Sequence, residues 1–320
     1  KNFKDGKLDL LKASYITESD YSKHFKSDSK ALTKPKAGDV LFSIIGTIGE
    51  PYLYKDEDLF GISSSVSILR PNNNFSLHAS YLYYWIKNRE FQKAVIGMKG
   101  GVAQGYLSLD MIRALPIRYP SLSSQEKIAS ILSAYDDLIE NNRRRIQLLE
   151  QAARLLYREW FVHLRFPCHE HATITDGVPE GWEKKKISDV CETVGGGTPS
   201  TKVSEYWEGD ITWVVPSDVT KNDCLVLLDS ERKITEKGLR ESSAKMVPAK
   251  TILMTSRASV GFFALMDTEV CTNQGFINII PHEDELRMYL LFNLISRVTE
   301  IQSNAKGTTY PEISKGRFRE

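Results

Sequence analysis

The segment that decides the fold covers residues 124–162 and reads SQEKIASILSAYDDLIENNRRRIQLLEQAARLLYREWFV. No proline or glycine occurs between Pro120 and Pro167, and Ser123 and Glu126 have the spacing of a capping box. Apolar side chains recur along the segment at steps of three and four residues, as on one face of a helix. At a rise of about 1.5 Å per residue, the segment predicts one helix roughly 60 Å long.

The apolar side chains of this segment form a seam of the coiled-coil type, with Asn142 as a polar position on the same stripe. Burying each leucine or isoleucine contributes about 1.5–3 kcal/mol, so a seam of this length is expected to pack against a partner helix. No second comparable helix is predicted in the chain, which leaves trimmed ends or pairing with another chain as explanations. The predicted partner-binding residues are Ile128, Ile131, Tyr135, Leu138, Ile146, Leu149, Leu156 and Trp160.

Similar sequence elements lie on both sides of the helix, about 210 residues apart. Residues 36–43, KAGDVLFS, align without gaps with residues 248–255, PAKTILMT, and each run is followed by a turn that ends in glycine. Both runs are typical of a turn followed by a buried strand. The further matching pairs are residues 62–71 with 272–281 (a polar loop, then a strand), 81–86 with 289–294 (an aromatic helix), and 99–101 with 306–307 (a Lys-Gly element).

The repeated order predicts an α+β protein with two similar domains, each a mixed twisted sheet plus helices, joined by a long coiled-coil helix. The predicted boundaries are 1–118 for the first domain, 119–166 for the spacer helix, 167–180 for a linker and 181–320 for the second domain. The second domain has a leading segment, residues 181–216, with no counterpart before Lys1. We therefore expect the first domain to be incomplete at its N-terminus and the second to lack a distal helix.

The composition favours a two-domain globular protein and argues against membrane, zinc-ribbon and redox-dithiol proteins. The chain has 320 residues, of which 41% are hydrophobic, enough for two globular domains. It contains no apolar run of about 18 residues, so we expect a cytoplasmic protein without membrane contact. The four cysteines form no C-x-x-C pair, which argues against a zinc ribbon or a redox dithiol and favours reduced thiols.

The charge distribution bears on nucleic-acid binding. The net charge is +1, but residues 1–118 carry 17 Lys and Arg against 12 Asp and Glu, whereas residues 167–320 carry 18 against 23. A bulk positive field is therefore not the main means of holding a nucleic acid. If DNA is the ligand, partner subunits are expected to neutralise part of the phosphate charge.

Five motifs, in this order, carry a family resemblance. They are residues 116–129 (PIRYPSLSSQEKIA), 157–162 (YREWFV), 178–182 (VPEGW), 196–200 (GGTPS) and 207–214 (WEGDITWV). With the internal repeat and the long helix, they cover nearly the whole chain. The chain resembles the specificity subunit of a type I restriction-modification system.

The resemblance implies a non-catalytic subunit with two target-recognition domains, each reading one half of a split site in double-stranded DNA. It also implies helices that set the gap between the half-sites and dock two methyltransferase (modification) subunits, with restriction/translocase subunits in the full complex. S-adenosylmethionine, ATP and Mg are expected on those partners, and no cofactor is expected in this chain. In the family a second long helix normally pairs antiparallel with the first, and this sequence departs from the pattern there.

Base reading requires polar side chains on loops held by a rigid sheet. Arg257 suits a bidentate contact with guanine and Gln274 one with adenine, although Arg257 can equally hold a phosphate or a carboxylate. The predicted DNA-binding residues are Ser43, Thr47, Ser63, Ser64, Ser65, Lys99, Gln104 and Tyr106 in the first domain, and Thr255, Ser256, Arg257, Ser259, Thr272, Asn273, Gln274, Lys306, Thr308, Thr309 and Tyr310 in the second.

Other chemistries find little support in the sequence. No methyl-transfer motif, nucleotide-binding loop or nuclease motif is recognised, so no catalytic residue is predicted. The cluster His163, Cys168, His169 and His171 fits no common zinc spacing and is interpreted as a linker, and the three glycines at 195–197 as a flexible loop. Two alternatives stay open: a recognition subunit of a related defence system with a different effector, and an enzyme acting alone.

Overall fold

A computed structural model describes residues 3–4, 6–8, 14–26, 33–72, 76–99, 105–307 and 310–319. By their contacts, the residues form two compact units, Lys1–Asn141 and Asn142–Glu320. In the described ranges, no helix combines the length and the apolar character needed to cross a membrane.

The first unit is built around a three-stranded antiparallel sheet. The strands of the whole unit are β1 (Phe3–Lys4), β2 (Lys7–Leu8), β3 (Val40–Ser43), β4 (Pro51–Leu53) and β5 (Val66–Leu69). Its helices are α1 (Glu18–His24), α2 (Ala79–Lys87), α3 (Arg89–Lys99), α4 (Leu109–Arg113) and the long α5 (Leu122–Tyr157), which continues into the second unit. The sheet has the order β4-β3-β5, and β1 pairs separately with β2.

Alternation along β3 explains the core of this unit. Val40 and Phe42 point to one face of the sheet and pack with Ile86 of α2 and Val95 of α3, whereas Leu41 points to the opposite face. All three strand residues are fully buried, as expected for an apolar strand covered on both sides.

The second unit contains two four-stranded sheets. Its strands are β6 (Ile174–Thr175), β7 (Val178–Pro179), β8 (Cys191–Gly195), β9 (Trp207–Val214), β10 (Lys233–Ile234), β11 (Met246–Val247), β12 (Ile252–Thr255), β13 (Phe263–Leu265), β14 (Val270–Thr272) and β15 (Phe276–Pro281). Its further helices are α6 (Ile187–Val190), α7 (Pro216–Thr220), α8 (Glu236–Arg240), α9 (Leu286–Ser296), α10 (Val298–Ser303) and α11 (Lys315–Arg319). The sheet orders are β13-β12-β15-β8 and β10-β9-β14-β11.

The strands of both units repeat the predicted internal alignment residue for residue. In the first unit Val40 is paired with Leu53 on one side and Leu69 on the other. In the second unit Ile252, its aligned counterpart, is paired with Leu265 and Ile279. The helix pairs α2–α3 and α9–α10 and the short helices α4 and α11 follow in the same order. The predicted duplication of one α+β scaffold is therefore confirmed.

Backbone conformation repeats as well. The left-handed residues Gly46 and Gly49 in the β3–β4 turn correspond to Ala258 and Gly261 in the β12–β13 turn. A left-handed alanine is uncommon because its Cβ crowds the backbone, so the turn geometry is imposed by the surrounding scaffold. The amide of Ala258 donates to the carbonyl of Pro311 at 2.9 Å, which helps to hold this conformation.

The long helix is confirmed, but its start differs from the prediction. It begins at Leu122, and the cap is Ser121, whose hydroxyl accepts from the amide of Ser124. Gln125, fully buried, accepts from the amide of His78 at 2.9 Å and donates to the carbonyl of Ser76, also at 2.9 Å. The predicted capping box of Ser123 and Glu126 was wrong because both residues already lie inside the helix, as its second and fifth residues.

At the C-terminal end of α5, the motifs YREWFV (157–162) and VPEGW (178–182) contact each other. After Tyr157 the chain makes one π-helical turn, Arg158–Val162. Phe161 in that turn packs against Trp182 of the VPEGW motif at 5.6 Å between ring centroids and against Tyr289 of α9 at 4.8 Å. Tyr157 accepts a hydrogen bond from Asn293 of α9 at 2.8 Å. The two motifs thus meet in one aromatic cluster within the second unit.

One buried ion pair in the first unit allows a stability prediction. Asp39 is 1% exposed and accepts from Nε and Nη2 of Arg70, both at 2.7 Å, and from the amide of Lys36 at 2.9 Å. We expect Asp39→Ala to lower the free energy of unfolding by about 2 kcal/mol. This loss is smaller than the loss on breaking a fully buried ion pair, because the partly exposed Arg70 can rehydrate. Urea unfolding monitored by circular dichroism measures this loss.

The exposed pair Asp110–Arg113 supplies the control for that measurement. Its side chains are 88% and 74% exposed, and Asp110→Ala should change stability by less than about 0.5 kcal/mol. Equal losses for Asp39→Ala and Asp110→Ala would contradict the structural role of Asp39.

Candidate nucleic-acid interface

In each unit, three segments meet beyond the end of the central strand. In the first unit they are residues 44–49, 62–65 and 105–107, here called the first loop cluster. The amide of Ile44 donates to the carbonyl of Ser65 at 2.9 Å, and the amide of Leu107 donates to the carbonyl of Ile44 at 3.1 Å. Backbone hydrogen bonds therefore fix the three segments relative to one another.

The second loop cluster consists of residues 256–261, residues 273–275 and the described parts of a third segment, 305–307 and 310–313. The amide of Ser256 donates to the carbonyl of Gly275 at 2.7 Å, and the amide of Ile313 donates to the carbonyl of Ser256 at 3.0 Å. These two bonds are the counterparts of the two in the first loop cluster. The same backbone framework thus presents two different sets of side chains.

The predicted DNA-binding residues divide by exposure. Exposed side chains are Thr47, Ser63, Ser64, Tyr106, Arg257, Gln274, Lys306 and Tyr310, and those of Ser65, Ser259 and Asn273 are half-buried. Gln104, Thr308 and Thr309 lie outside the described residues, as does the side chain of Lys99, the last residue of α3. The described residues belong to one of the two loop clusters, except Ser43, Thr255 and Thr272, which end strands, and Lys99, which ends α3.

Four predicted contacts are buried: Ser43, Thr255, Ser256 and Thr272. The hydroxyl of Ser43 donates to the carbonyl of Ile45 at 3.2 Å, and that of Thr255 accepts from the amide of Phe262 at 3.0 Å. Such side chains have no surface to offer a base, and the hydroxyls of Ser43 and Thr255 hold the turns that carry the exposed residues. Thr272 is the last residue of β14, rather than part of a polar loop, because β14 pairs in parallel with β9.

The glycine run at 195–197, whose last two residues begin the GGTPS motif, proves to be tightly packed, so the flexible-loop interpretation was wrong. A Cβ on Gly196 would lie 2.0 Å from the carbonyl oxygen of Asn273, and one on Gly197 would lie 2.1 Å from that of Ser243. Only glycine permits this approach of the backbone. The amide of Gly197 donates to the carbonyl of Thr272 at 2.9 Å, which fastens the run to the end of β14, directly before Asn273 of the second loop cluster.

This packing sets the orientation of Gln274. The hydroxyl of Thr198 donates to Oε1 of Gln274, which leaves the Nε2 amide available as a donor at the surface. Trp213 donates from its indole to the carbonyl of Gly197 at 2.9 Å, and the guanidinium of Arg232 lies 3.9 Å from the ring centre of Trp207. Thr198 was missed by sequence reasoning, although it stands in a quoted motif.

Arg257 lies beside a carboxylate. Arg257 and Glu312 form an isolated antiparallel bridge, and Nε of Arg257 lies 3.7 Å from Oε2 of Glu312. Each side chain is 48% exposed, so the pair contributes little to stability and both groups remain accessible to a ligand. Glu312 was also missed, because the predicted base-reading residues are donors and neutral polar groups and include no carboxylate.

The predicted seam of α5 is exposed over most of its length. Ile128, Ile131, Tyr135, Leu138, Ile146, Leu149 and Leu156 are between 39% and 68% exposed, and Trp160 is half-buried near Phe161. Further exposed apolar residues on the helix are Leu132, Ile139, Leu148 and Leu155. A row of large apolar side chains of this extent marks an interaction surface.

No potential metal site is seen among the described residues, where no group of three or more His, Cys, Asp or Glu side chains is placed to hold an ion. His169 contacts the carbonyl of Phe166 through Nδ1 at 2.9 Å. All four cysteines are free, and burial raises the pKa of the Cys191 and Cys271 thiols to about 11. These two buried thiols therefore carry no thiolate reactivity near neutral pH.

Comparison with known proteins gives a consistent result. The family model described as "Type I restriction modification DNA specificity domain" matches residues 2–151 and 179–320. The chain is 38% identical over 163 residues to the type I restriction enzyme MjaIX specificity subunit of Methanocaldococcus jannaschii, covering 50% of this chain and 38% of that protein. It is 25% identical over 324 residues to the HindI specificity subunit of Haemophilus influenzae, covering 81% and 70%.

The solved structure of a type I restriction-modification system S subunit from M. genitalium matches with a TM-score of 0.56 at 15% identity, covering 90% of this chain and 71% of that one. This likeness concerns the fold. The chain spans 38% of the MjaIX subunit, 70% of the HindI subunit and 64% of the EcoR124I/EcoR124II specificity subunit of Escherichia coli.

Proposed function

Because this chain belongs to the type I restriction-modification DNA specificity domain family, we propose that it reads a bipartite DNA site for a restriction-modification complex. Each loop cluster reads one half-site, and the long helix docks the modification subunits. The chain itself carries no catalysis. We place it in the cytoplasm, where it meets the DNA of the cell.

The observation that carries this proposal is the pair of loop clusters on equivalent backbones. In both, the turn after the central strand, the loop before the next strand and the segment before a short helix are joined by the same hydrogen bonds. A rigid framework that varies in its exposed side chains suits the reading of two different sequences, because discrimination depends on donors, acceptors and apolar groups at fixed positions.

The electrostatics fit an assembly better than a chain acting alone. Phosphate contacts provide most of the affinity of nonspecific DNA binding, and each neutralised phosphate adds to the salt dependence. With 42 Lys and Arg against 41 Asp and Glu, a net charge of +1, this chain has almost no excess of positive charge for that purpose. The modification subunits would supply further phosphate contacts and the S-adenosylmethionine site, and the restriction/translocase subunits would use ATP and Mg.

The exposed seam of α5 supports the docking role. Its apolar side chains extend from Ile128 near the start of the helix to Leu156 near its end. A partner helix that covered them would gain roughly 1.5–3 kcal/mol for each fully buried leucine or isoleucine. The seam is therefore proposed as the site where helices of the assembled complex pack.

Mapping methylated bases tests the proposal directly. The chain is expressed together with its modification subunits in a host lacking other methyltransferases, and the genomic DNA is sequenced by a method that detects methylated bases. We expect one motif with two fixed parts separated by a spacer of fixed length. The purified chain with S-adenosylmethionine alone should transfer no methyl groups.

Two results would argue for the alternatives. Methyl transfer or cleavage by the purified chain, abolished by a point substitution within it, would indicate an enzyme acting alone. Co-purification with an effector other than modification subunits would indicate a recognition subunit of a related defence system.

A further inference from the structure

Ile45 and Arg257 occupy the same position in the two loop clusters. Each is the second residue after the end of its central strand, β3 or β12, and each precedes a left-handed residue. Each also forms an isolated antiparallel bridge with the third segment of its cluster, Ile45 with Tyr106 and Arg257 with Glu312. The pair Ile45–Tyr106 and the pair Arg257–Glu312 therefore occupy equivalent places on the two backbones, but their side chains differ in chemistry.

In the first loop cluster this position is apolar and accessible. Ile45 is 46% exposed and Tyr106 is 45% exposed. Their neighbours Ser43 and Leu107 are buried and hold the framework, so the two exposed side chains are not needed for the core. In the second loop cluster the same position carries a cation and a carboxylate, both 48% exposed.

The edges of the bases offer partners of both kinds. In the major groove the thymine methyl is the apolar group, whereas guanine presents two acceptors and cytosine presents an amino donor. An isoleucine beside a tyrosine suits the thymine methyl. An arginine beside a glutamate suits a G·C pair, because Arg257 can donate to guanine and Glu312 can accept from the N4 amino group of cytosine.

We propose that Ile45 and Tyr106 select an A·T pair in the first half-site through the thymine methyl, and that Arg257 and Glu312 select a G·C pair at the corresponding place in the second. This inference rests on the proposed function and adds a base class to each half-site. It makes Ile45 and Glu312 specificity-determining residues, neither of which is singled out by a search for polar donors.

The test removes the methyl group without changing the base pairing. Binding of the assembled complex is measured on duplexes in which uracil replaces thymine at single positions of the mapped site. We expect one position of the first half-site at which uracil weakens binding about fourfold, the effect of losing one buried methyl. Ile45→Ala should weaken binding to the thymine duplex and make thymine and uracil equivalent there.

Matched variants separate reading from folding. Ile16→Ala alters an isoleucine of the same unit that is 53% exposed and lies outside the cluster, and it should preserve the uracil effect. The uracil series on the unaltered chain needs no variant and shows by itself whether a thymine methyl is read in the first half-site, and circular dichroism checks that Ile45→Ala is folded before the methyl contact is assigned to Ile45.

The outcomes distinguish this inference from the proposed function. A complex that discriminates its two half-sites but binds uracil and thymine equally throughout the first one would overturn the inference and leave the function intact. A uracil effect that Ile45→Ala does not remove would assign the methyl contact to another residue and also overturn it. A complex without any sequence preference would refute the proposed function itself.

Discussion

Replacing Arg257 with alanine is expected to weaken binding of the assembled complex to its cognate duplex about 5- to 150-fold, with the loss confined to discrimination in the second half-site. A bidentate contact between arginine and guanine contributes roughly 1–3 kcal/mol of discrimination, which corresponds to this range. The backbone of Arg257 is fixed by bonds from both neighbours, since the amide of Ser256 donates to Gly275 and that of Ala258 donates to Pro311. We therefore expect Arg257→Ala to remove the side chain while the backbone keeps its position.

Arg257→Lys distinguishes a base contact from a phosphate contact. Lysine keeps the charge but lacks the planar fork, so a base-reading role predicts a loss close to that of alanine. A phosphate role predicts that lysine binds nearly as well as arginine, and that alanine weakens binding uniformly and lowers the salt slope by about one.

Competition binding at several salt concentrations gives both quantities. The cognate duplex is compared with duplexes altered in the first or the second half-site. Arg240→Ala, which removes an exposed arginine of α8 outside the second loop cluster, serves as the control and should leave discrimination unchanged. Equal weakening on every duplex would count against base reading by Arg257.

The repeat was predictable because β3 and β12 are short, fully buried apolar runs that sit between turn signals. A one-residue slip of such a strand would move its side chains to the wrong faces, so the gapless alignment of the sequences also gives the register. The long helix was predictable for a similar reason, since an unbroken 3.6-residue pattern has few alternatives. Its exact start was not, because Ser121 and Ser123 are both suitable caps.

The site was harder to predict because exposure depends on tertiary contacts. Thr255 and Arg257 are two residues apart in a polar run, yet Thr255 is fully buried and Arg257 is half-exposed. The role of Gly196 depends on a close approach to Asn273, which lies far away in sequence. Ile45 aligns with Arg257 in the sequence, but Ile45 was not predicted as a base contact because only polar side chains were expected to contact bases.

Replacing Leu149 and Leu156 together with aspartate is expected to weaken assembly with the modification subunits by more than about 100-fold. These leucines are 68% and 50% exposed, so they contribute little to the stability of the chain. If a partner helix buries them, the double variant loses roughly 3–6 kcal/mol of apolar burial and places two charges in the interface. The free energy of unfolding of the chain should change by less than about 1 kcal/mol.

Sedimentation of mixtures of the chain with its modification subunits measures the assembly, and circular dichroism of the isolated chain checks the fold. Gln147→Asp introduces a charge on the opposite face of the same helix and should leave assembly intact, because an exposed residue off the seam remains hydrated. If the double variant assembles like the unaltered chain, the seam is not the docking surface. If both variants fail alike, negative charge on the helix rather than lost apolar contact governs docking, and the role of the seam would have to be abandoned.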